Sequence, residues 1–115
     1  MKVIISDREA GALAGKFISG FDVQDVHFTP EGNIEVKVKY GFVPVKVTLV
    51  PQEVKESGVV FKLEGGIAQF ASSLNMKGKG WRLEEGKLIL DTSPFGIKVL
   101  DFRVGEGLLE LELDV

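Results

Sequence analysis

Apolar residues recur along this chain at two different spacings, and the spacing changes near residue 22. Over residues 7–19 they fall three and four positions apart, which is the period of an amphipathic helix. Ser6 and Glu9 have the spacing of a capping box, in which the serine accepts from the third helical N–H and the glutamate reaches back. The pattern therefore predicts a helix over about 7–19, ended by Gly20.

From Val23 onward the apolar positions alternate with polar ones, which is the period of a half-buried β-strand. One strand runs to Phe28, residues 30–33 form a Pro-Glu-Gly-Asn turn, and a second strand covers 34–40. Between 41 and 44 the alternation slips by one position. A strand cannot change parity without turning its core face outward. We therefore expect a bulge or sharp bend at 41–44 that lets one long strand serve two parts of the sheet.

The middle of the chain predicts one more strand and a second helix. Pro51 closes the long strand or marks a sheet edge, and residues 55–58 form a turn before a strand over 59–63. Residues 66–75 carry apolar side chains at i, i+3, i+4 and i+7. This spacing predicts a short amphipathic helix.

Two hairpins complete the chain. The first joins strands at 81–83 and 88–90, and the second joins 97–104 to 108–115 through a glycine-containing turn. In the last strand leucines alternate with acidic residues, which is typical of an edge or outer strand with one face in water. Because a long, regular edge strand is open to pairing with a second copy, self-association is one possible role.

Together these elements predict a single α+β domain over residues 1–115. We expect a strongly bent antiparallel β-sheet of hairpins packed against two short helices. A chain of 115 residues is long enough to bury such a core without disulfides. The core side chains should include Phe17, Val36, Val38, Phe61, Phe70 and Leu111.

Composition excludes several kinds of site. Cysteine is absent, so disulfides and thiolate metal sites are excluded, and the single histidine, His27, leaves no multi-histidine metal site. We expect no cofactor. A net charge of −3 argues against broad nucleic-acid binding, which needs a basic surface.

The same sequence bears on location. No apolar stretch approaches the roughly 20 residues that span a bilayer, and the N-terminal apolar run is too short for a signal peptide. We therefore expect a cytoplasmic protein with no integral membrane segment.

No set of residues assembles a recognisable catalytic site. Alternation directs His27 to solvent, opposite Phe28, and an imidazole base needs both a nucleophile and an orienting partner. Ser72 and Ser73 lack the glycines of a nucleophile elbow, and the paired acids at 84–85 flank a turn. We therefore interpret the chain as a non-enzymatic protein.

The order of elements and the stretch from Pro94 to Leu111 carry a resemblance to a known family. The stretch reads Pro-Phe-Gly-Ile-Lys-Val-Leu-Asp-Phe-Arg-Val-Gly-Glu-Gly-Leu-Leu-Glu-Leu. It combines a Pro-x-Gly-[Ile/Val] entry, two short β steps and a Gly-containing turn. Over most of its length the chain resembles the LmeA-like phospholipid-binding family, itself similar to TULIP-like lipid-binding domains. The resemblance implies a bent sheet that wraps a helix and leaves an apolar groove for lipid.

The candidate site combines this groove with a basic loop over 77–82. The apolar faces of the helices should form its walls, and the basic residues should meet anionic headgroups at one mouth. The same loop could stack on a base, or it could be a flexible connector with Trp81 buried as the first core residue of the next strand. The expected ligand is a lipid or another apolar small molecule. The alternative function is a structural domain that forms a homodimer through edge strands. The predicted site residues are Leu13, Phe17, Phe70, Leu74, Lys77, Lys79, Trp81 and Arg82.

Overall fold

The computed structural model of the protein describes residues 1–17, 22–65 and 75–115, without the side chains of Phe17 and Tyr40. Strands account for 65% of the described residues and helix for 13%, so the fold is mainly β, and the predicted α+β class contains too much helix. One of the two predicted helices is described. The other, over 66–75, lies outside the described residues except for its last position.

The described elements follow one another in a nearly continuous series of hairpins after an N-terminal strand and helix. In chain order they are β1 (Lys2–Ser6), α1 (Asp7–Phe17), β2 (Asp22–Phe28), β3 (Ile34–Tyr40), β4 (Val43–Lys55), β5 (Gly58–Glu64), β6 (Met76–Gly78), β7 (Trp81–Glu84), β8 (Lys87–Asp91), a short 3-10 helix (Ser93–Phe95), β9 (Lys98–Gly105) and β10 (Leu108–Asp114).

Helix α1 begins as the sequence predicts. The Glu9 N–H donates to Ser6 Oγ at 3.3 Å, and the Ser6 N–H donates to Glu9 Oε1 at 3.1 Å. These two bonds satisfy backbone donors that the first helical turn leaves without partners, which is the capping box. Strand β1, directly before the helix, was not predicted, because five residues with two inward side chains are too short for alternation to stand out.

Seven strands form a strongly curled antiparallel sheet in the order β2-β3-β4-β5-β8-β7-β6. Strand β4 pairs with β3 through its first half and with β5 through its second half. Its register shifts between Pro51 and Glu53, which marks a bulge at that point. Pro51 therefore does not end the strand: it lies beyond the last residue that pairs with β3, where a missing N–H is tolerated.

The bend predicted at 41–44 is wrong, because the chain reverses there. Tyr40 pairs directly with Val43, and Gly41 and Phe42 form a two-residue hairpin turn. Gly41 has a φ of +64° at the first central position, as a type II′ turn requires. The inward residues have even numbers in β3 and odd numbers in β4, because the two-residue turn places Val38 opposite Val45.

The remaining strands form a three-stranded sheet in the order β1-β10-β9. Strand β10 pairs with β1 from Ser6↔Leu108 to Lys2↔Glu112 and with β9 on its other side. The prediction that the last strand is an edge is therefore wrong, since β10 is the central strand of its sheet. Its acidic residues do lie on the outer face, between the inward leucines.

The main core lies where the inner faces of the two sheets meet. Phe28 and Phe61 are almost fully buried there, and the Phe61 ring packs edge-to-face on Phe102 with centroids 5.6 Å apart. Of the predicted core residues, Val38 and Phe61 are buried, Val36 and Leu111 are half-buried, and the side chains of Phe17 and Phe70 lie outside the described set. The buried members of the main core are Val26, Phe28, Ile34, Val59, Phe61, Val99 and Leu109.

Candidate ligand-binding site

The inner face of the seven-stranded sheet carries a second cluster beside the main core, and partly buried residues such as Val36 and Leu49 pack against both. Its buried members, here called the inner cluster, come from β3, β4, β5 and β7, and each is 8–9% exposed. Val45 and Trp81 are half-buried against them. All described members belong to the seven-stranded sheet, whereas the main core also uses residues of the three-stranded sheet. The inner cluster consists of Val38, Val47, Leu63 and Leu83.

Strand pairing places Val38 and Val47 of the inner cluster toward the end of the sheet that carries the Gly41–Phe42 turn. Leu83 lies further from this turn, level with Pro51 of β4, and Trp81 is level with Val54, next to the β4–β5 turn. The Val38↔Val45 pair is two positions from the closing pair of that hairpin. The three-stranded sheet is attached at the other end, where the Val99 N–H of β9 donates to the Glu56 carbonyl in the β4–β5 turn at 3.0 Å.

Trp81 packs against the inner cluster and also makes a very close cross-strand contact with β6. It pairs with Gly78, and a Cβ added to that glycine would lie 2.3 Å from the indole Nε1. Position 78 therefore accepts only glycine without displacing the ring. The indole covers the backbone of β6 and packs against the aliphatic cluster, as expected for the first core residue of a strand.

The basic residues near Trp81 do not form a flexible loop. Lys77 is in β6, Arg82 is in β7, and the two are directly opposite each other on the outer face of the sheet. Only Lys79 lies in the turn, with its Nζ 5.3 Å from the centre of the Phe95 ring, a cation–π contact. Arg82 has a partly compensating carboxylate, since its Nε lies 3.6 Å from Glu84.

The apolar residues predicted for the groove are placed only in part. Leu13 is 41% exposed, because α1 directs Ala10 and Ala14 to the main core. The helix packs mainly on β2, which lies at the opposite end of the strand order from β6. The other three members of the predicted wall, Phe17, Phe70 and Leu74, have side chains outside the described set. The groove that would join them to the basic residues stays a prediction.

Two shallow depressions lie on the outer faces of the sheets. The larger, about 220 Å³, is lined chiefly by charged residues of the three-stranded sheet. The smaller, about 140 Å³, lies beside Arg82 and Ile89. Pockets for small organic ligands usually enclose about 300–1,000 Å³ with mostly apolar walls. Neither depression has the size and lining that a lipid chain requires.

A polar contact that the sequence did not indicate connects α1 to β2. Asp7 Oδ1 accepts the Phe28 N–H at 2.9 Å, and Asp7 Oδ2 lies 3.0 Å from His27 Nδ1. His27 is exposed, as alternation predicts, but it has an orienting carboxylate that lies 20 residues away in sequence. Among the described side chains, no serine or threonine hydroxyl is hydrogen-bonded to this histidine. The contact therefore joins two elements and does not complete a nucleophilic relay.

Two carboxylates have perturbed pKa values, and both act as local caps. The backbone N–H and hydroxyl of Ser6 hold the pKa of Glu9 below its ordinary value. The hydroxyl and backbone N–H of Ser93 likewise lower the pKa of Asp91, which precedes the 3-10 helix. Both groups are stabilised as carboxylates, so neither is tuned toward proton donation at neutral pH.

Within the described ranges, no group of three or more His, Cys, Asp or Glu side chains is arranged to hold a metal ion. The helical segments searched there include none with the length and apolar character needed to cross a bilayer. Comparisons of the chain with protein-family models, with curated proteins and with solved structures found no match.

Proposed function

We propose that the chain is a non-enzymatic module that binds an apolar or amphipathic, lipid-like ligand along the inner face of the curled sheet. The inner cluster is the observation that carries this proposal. It is a buried apolar cluster built from four strands of one sheet, and its described members include none from the three-stranded sheet. The sequence resemblance to the LmeA-like family favours the same class of ligand.

The energetics favour a long acyl chain over a short one. Burying a methylene contributes about 0.8 kcal/mol, so a chain of about 14 methylenes gains roughly 11 kcal/mol. Association itself costs at least about 4 kcal/mol. The remainder of about 7 kcal/mol corresponds to a dissociation constant of roughly 10 μM. A chain half as long would gain too little to bind, which argues for ligands with a long acyl chain.

The basic residues supply the polar end of the proposed site. Strand β6 is an edge of the sheet, so Lys77 stands at its rim, with Arg82 beside it on β7. Lys79 occupies the exposed turn between the two strands. An anionic headgroup at this rim would meet cations that remain in contact with water, and no charge would be buried without a partner.

The single tryptophan provides a direct test of ligand binding. Trp81 packs against the inner cluster, so a bound acyl chain should change its emission, and a chain carrying bromine should quench it. Native mass spectrometry of the purified protein, with lipid extraction alongside, should show a co-purified or added phospholipid. A clean apo mass, no quenching and an unchanged melting temperature with added lipid would together refute the proposal.

Two neighbouring positions give a matched pair of variants. Val45 is half-buried against the inner cluster, whereas Lys46 points to the outer face and pairs with Glu35 at 2.7 Å. Val45→Gln should weaken lipid binding at least tenfold, and Lys46→Gln should leave it within twofold. Replacing Lys77, Lys79 and Arg82 together by Ser tests the headgroup role, because binding that survives this change would exclude that role but keep the apolar site.

The alternative function, self-association through an edge strand, has a different observation in its favour. Strand β1 is an edge of the three-stranded sheet and carries Ile4, which is 52% exposed. Pairing of two β1 strands would extend this sheet across a two-fold axis. Light scattering coupled to size-exclusion chromatography tests it, with Ile4→Lys as the variant: a dimer that this change dissociates, in protein that binds no lipid, would favour assembly.

A further inference from the structure

The β3–β4 hairpin ends in an apolar tip that projects into solvent. Phe42 is 95% exposed and Val43 is 61% exposed. Gly41 and Pro44 complete a run of four exposed residues without a charge, here called the hairpin tip. Large aromatic side chains are rarely left wholly in water unless they serve a contact.

The hairpin tip is held by its backbone and not by the exposed side chains. The Tyr40↔Val43 pair closes the turn, and the positive φ of Gly41 lets the turn follow the twist of the two strands. Phe42 therefore contributes almost nothing to the packing of the fold. Its presence at the tip is not explained by stability.

Lysines follow the hairpin tip at regular intervals along both strands. Lys39 lies opposite Pro44, and Lys37 lies opposite Lys46. At about 3.4 Å per residue, these pairs stand roughly 3 Å and 10 Å behind Val43. Interfacial apolar groups enter a bilayer to a depth of about 5–10 Å, so the lysine amines would reach the phosphate layer when the tip is buried.

A bilayer surface fits this feature better than another protein does. A stable protein interface needs roughly 800 Å² from each partner, which a convex tip of four residues cannot supply alone. A bilayer accepts a convex apolar group without any complementary pocket. Among the described ion pairs, Lys46 is bonded to Glu35, whereas Lys37 and Lys39 have no such contact.

We propose that the hairpin tip is a docking point for the surface of a phospholipid bilayer, with Phe42 inserted below the headgroups and the lysines at the phosphates. This inference goes beyond ligand binding at the inner cluster and does not depend on it. Asp22 and Asp25 lie across from Lys39 and Lys37, so the net charge around the tip is small. Docking should therefore depend mainly on insertion and only modestly on anionic lipid.

The experiment uses tryptophan as a depth reporter at two exposed aromatic positions. In a Trp81→Phe background, Phe42→Trp reports on the hairpin tip. The control is Phe95→Trp in the same background. Phe95 is 48% exposed and contacts the Lys79–Gly80 turn. Strand pairing puts this turn at the end of the sheet opposite the hairpin tip. With phosphatidylcholine vesicles, the reporter at 42 should shift to the blue and be quenched by brominated lipid, and the reporter at 95 should do neither.

The unlabelled protein gives an independent measure. Phe42→Ser should lower the fraction that co-floats with vesicles at least tenfold, since the insertion energy of one aromatic side chain is lost. Its melting temperature should not change. Adding phosphatidylserine should strengthen docking less than tenfold.

Three results would overturn the proposal: no co-flotation of the wild type, co-flotation unaffected by Phe42→Ser, or an emission shift at 42 that grows with protein concentration without vesicles. The last result would identify a second copy as the partner. Native mass spectrometry of Phe42→Ser keeps the two proposals apart, because a docking defect leaves acyl-chain binding at the inner cluster intact.

Discussion

Replacing Asp7 by Ala should weaken the attachment of α1 to β2. The carboxylate accepts the Phe28 N–H at 2.9 Å and lies 3.0 Å from the His27 ring nitrogen. The backbone at the same residue is also engaged, since the Asp7 N–H donates to the Gly107 carbonyl and the Gly107 N–H donates to the Phe28 carbonyl. The helix, β2 and the β9–β10 turn therefore meet at Asp7, with the side chain bonded to β2 and the backbone bonded to the turn.

The three contributions of this carboxylate differ in size. Losing a charged acceptor for a partly buried N–H costs about 1.5–3 kcal/mol. The side chains of His27 and Asp7 are 51% and 32% exposed, so their pair contributes only about 0.2–1 kcal/mol. A negative charge in the first helical turn adds about 0.3–1 kcal/mol. Asp7→Ala should therefore cost about 2–5 kcal/mol, and His27→Ala less than about 1 kcal/mol.

Urea unfolding at neutral pH, followed by circular dichroism and by Trp81 emission, measures both variants. Asp7→Asn is the matched control, because it keeps an acceptor oxygen and removes the charge. Its loss of unfolding free energy should lie between those of Asp7→Ala and His27→Ala. The reasoning fails if Asp7→Ala costs less than about 1 kcal/mol. It also fails if His27→Ala is as costly as Asp7→Ala, since the imidazole and not the Phe28 N–H would then be the main partner.

Three further predictions concern stability. Gly15→Ala should stabilise the protein by about 0.5–1 kcal/mol in thermal unfolding, because an added Cβ in α1 meets no atom within 4 Å. Gly58→Ala should destabilise it by more than about 3 kcal/mol, because the added Cβ would lie 1.7 Å from a β8 carbonyl oxygen. Phe61→Ala and Phe70→Ala should each lower the free energy of unfolding in denaturant by about 3–5 kcal/mol. A change below about 1 kcal/mol for Phe70→Ala would mean that the predicted helix over 66–75 is peripheral or that its apolar face is a ligand wall. The pKa of Glu9 is lowered, so its cap stabilises the fold at pH values above the ordinary pKa of a carboxyl group and loses this effect as the pH falls through the lowered pKa. Glu9→Gln should therefore flatten the dependence of stability on pH between about pH 5 and 3.

Local chemistry made the helix start and the hairpins predictable. The Ser6–Glu9 cap and the alternation in β3 each depend on residues a few positions apart. The turn at 41–42 was misread because a two-residue turn and a bulge change the parity of the apolar pattern in the same way. What separates them is the left-handed backbone at Gly41, and glycine is compatible with either structure.

Contacts between distant segments could not be predicted in the same way. Alternation in β10 correctly shows which face is inward, but it says nothing about how many strands flank it, so a central strand resembled an edge. The Asp7–His27 contact has no sequence signature, because it depends on how a helix packs on a strand. Residues of the main core and of the inner cluster also show the same alternating pattern, so the sequence does not distinguish the two clusters.

Strand β4 is long enough to run beside both sets of residues, which meet at Val36: it pairs with Val26 of the main core and with Val47 of the inner cluster. A strand of 13 residues extends for about 40 Å, as long as the longest dimension of the molecule, 39 Å. Strand β9 has eight residues, about 26 Å, and it is attached at the β4–β5 turn. The three-stranded sheet is also attached at the end of β2, where the Gly107 N–H donates to the Phe28 carbonyl. Phe28 is level with Leu49 of β4, six positions from Val43. Of the inner cluster, Val38 and Val47 lie nearest the hairpin tip, so an acyl chain taken from a docked bilayer would meet these two residues before it met Leu63 and Leu83.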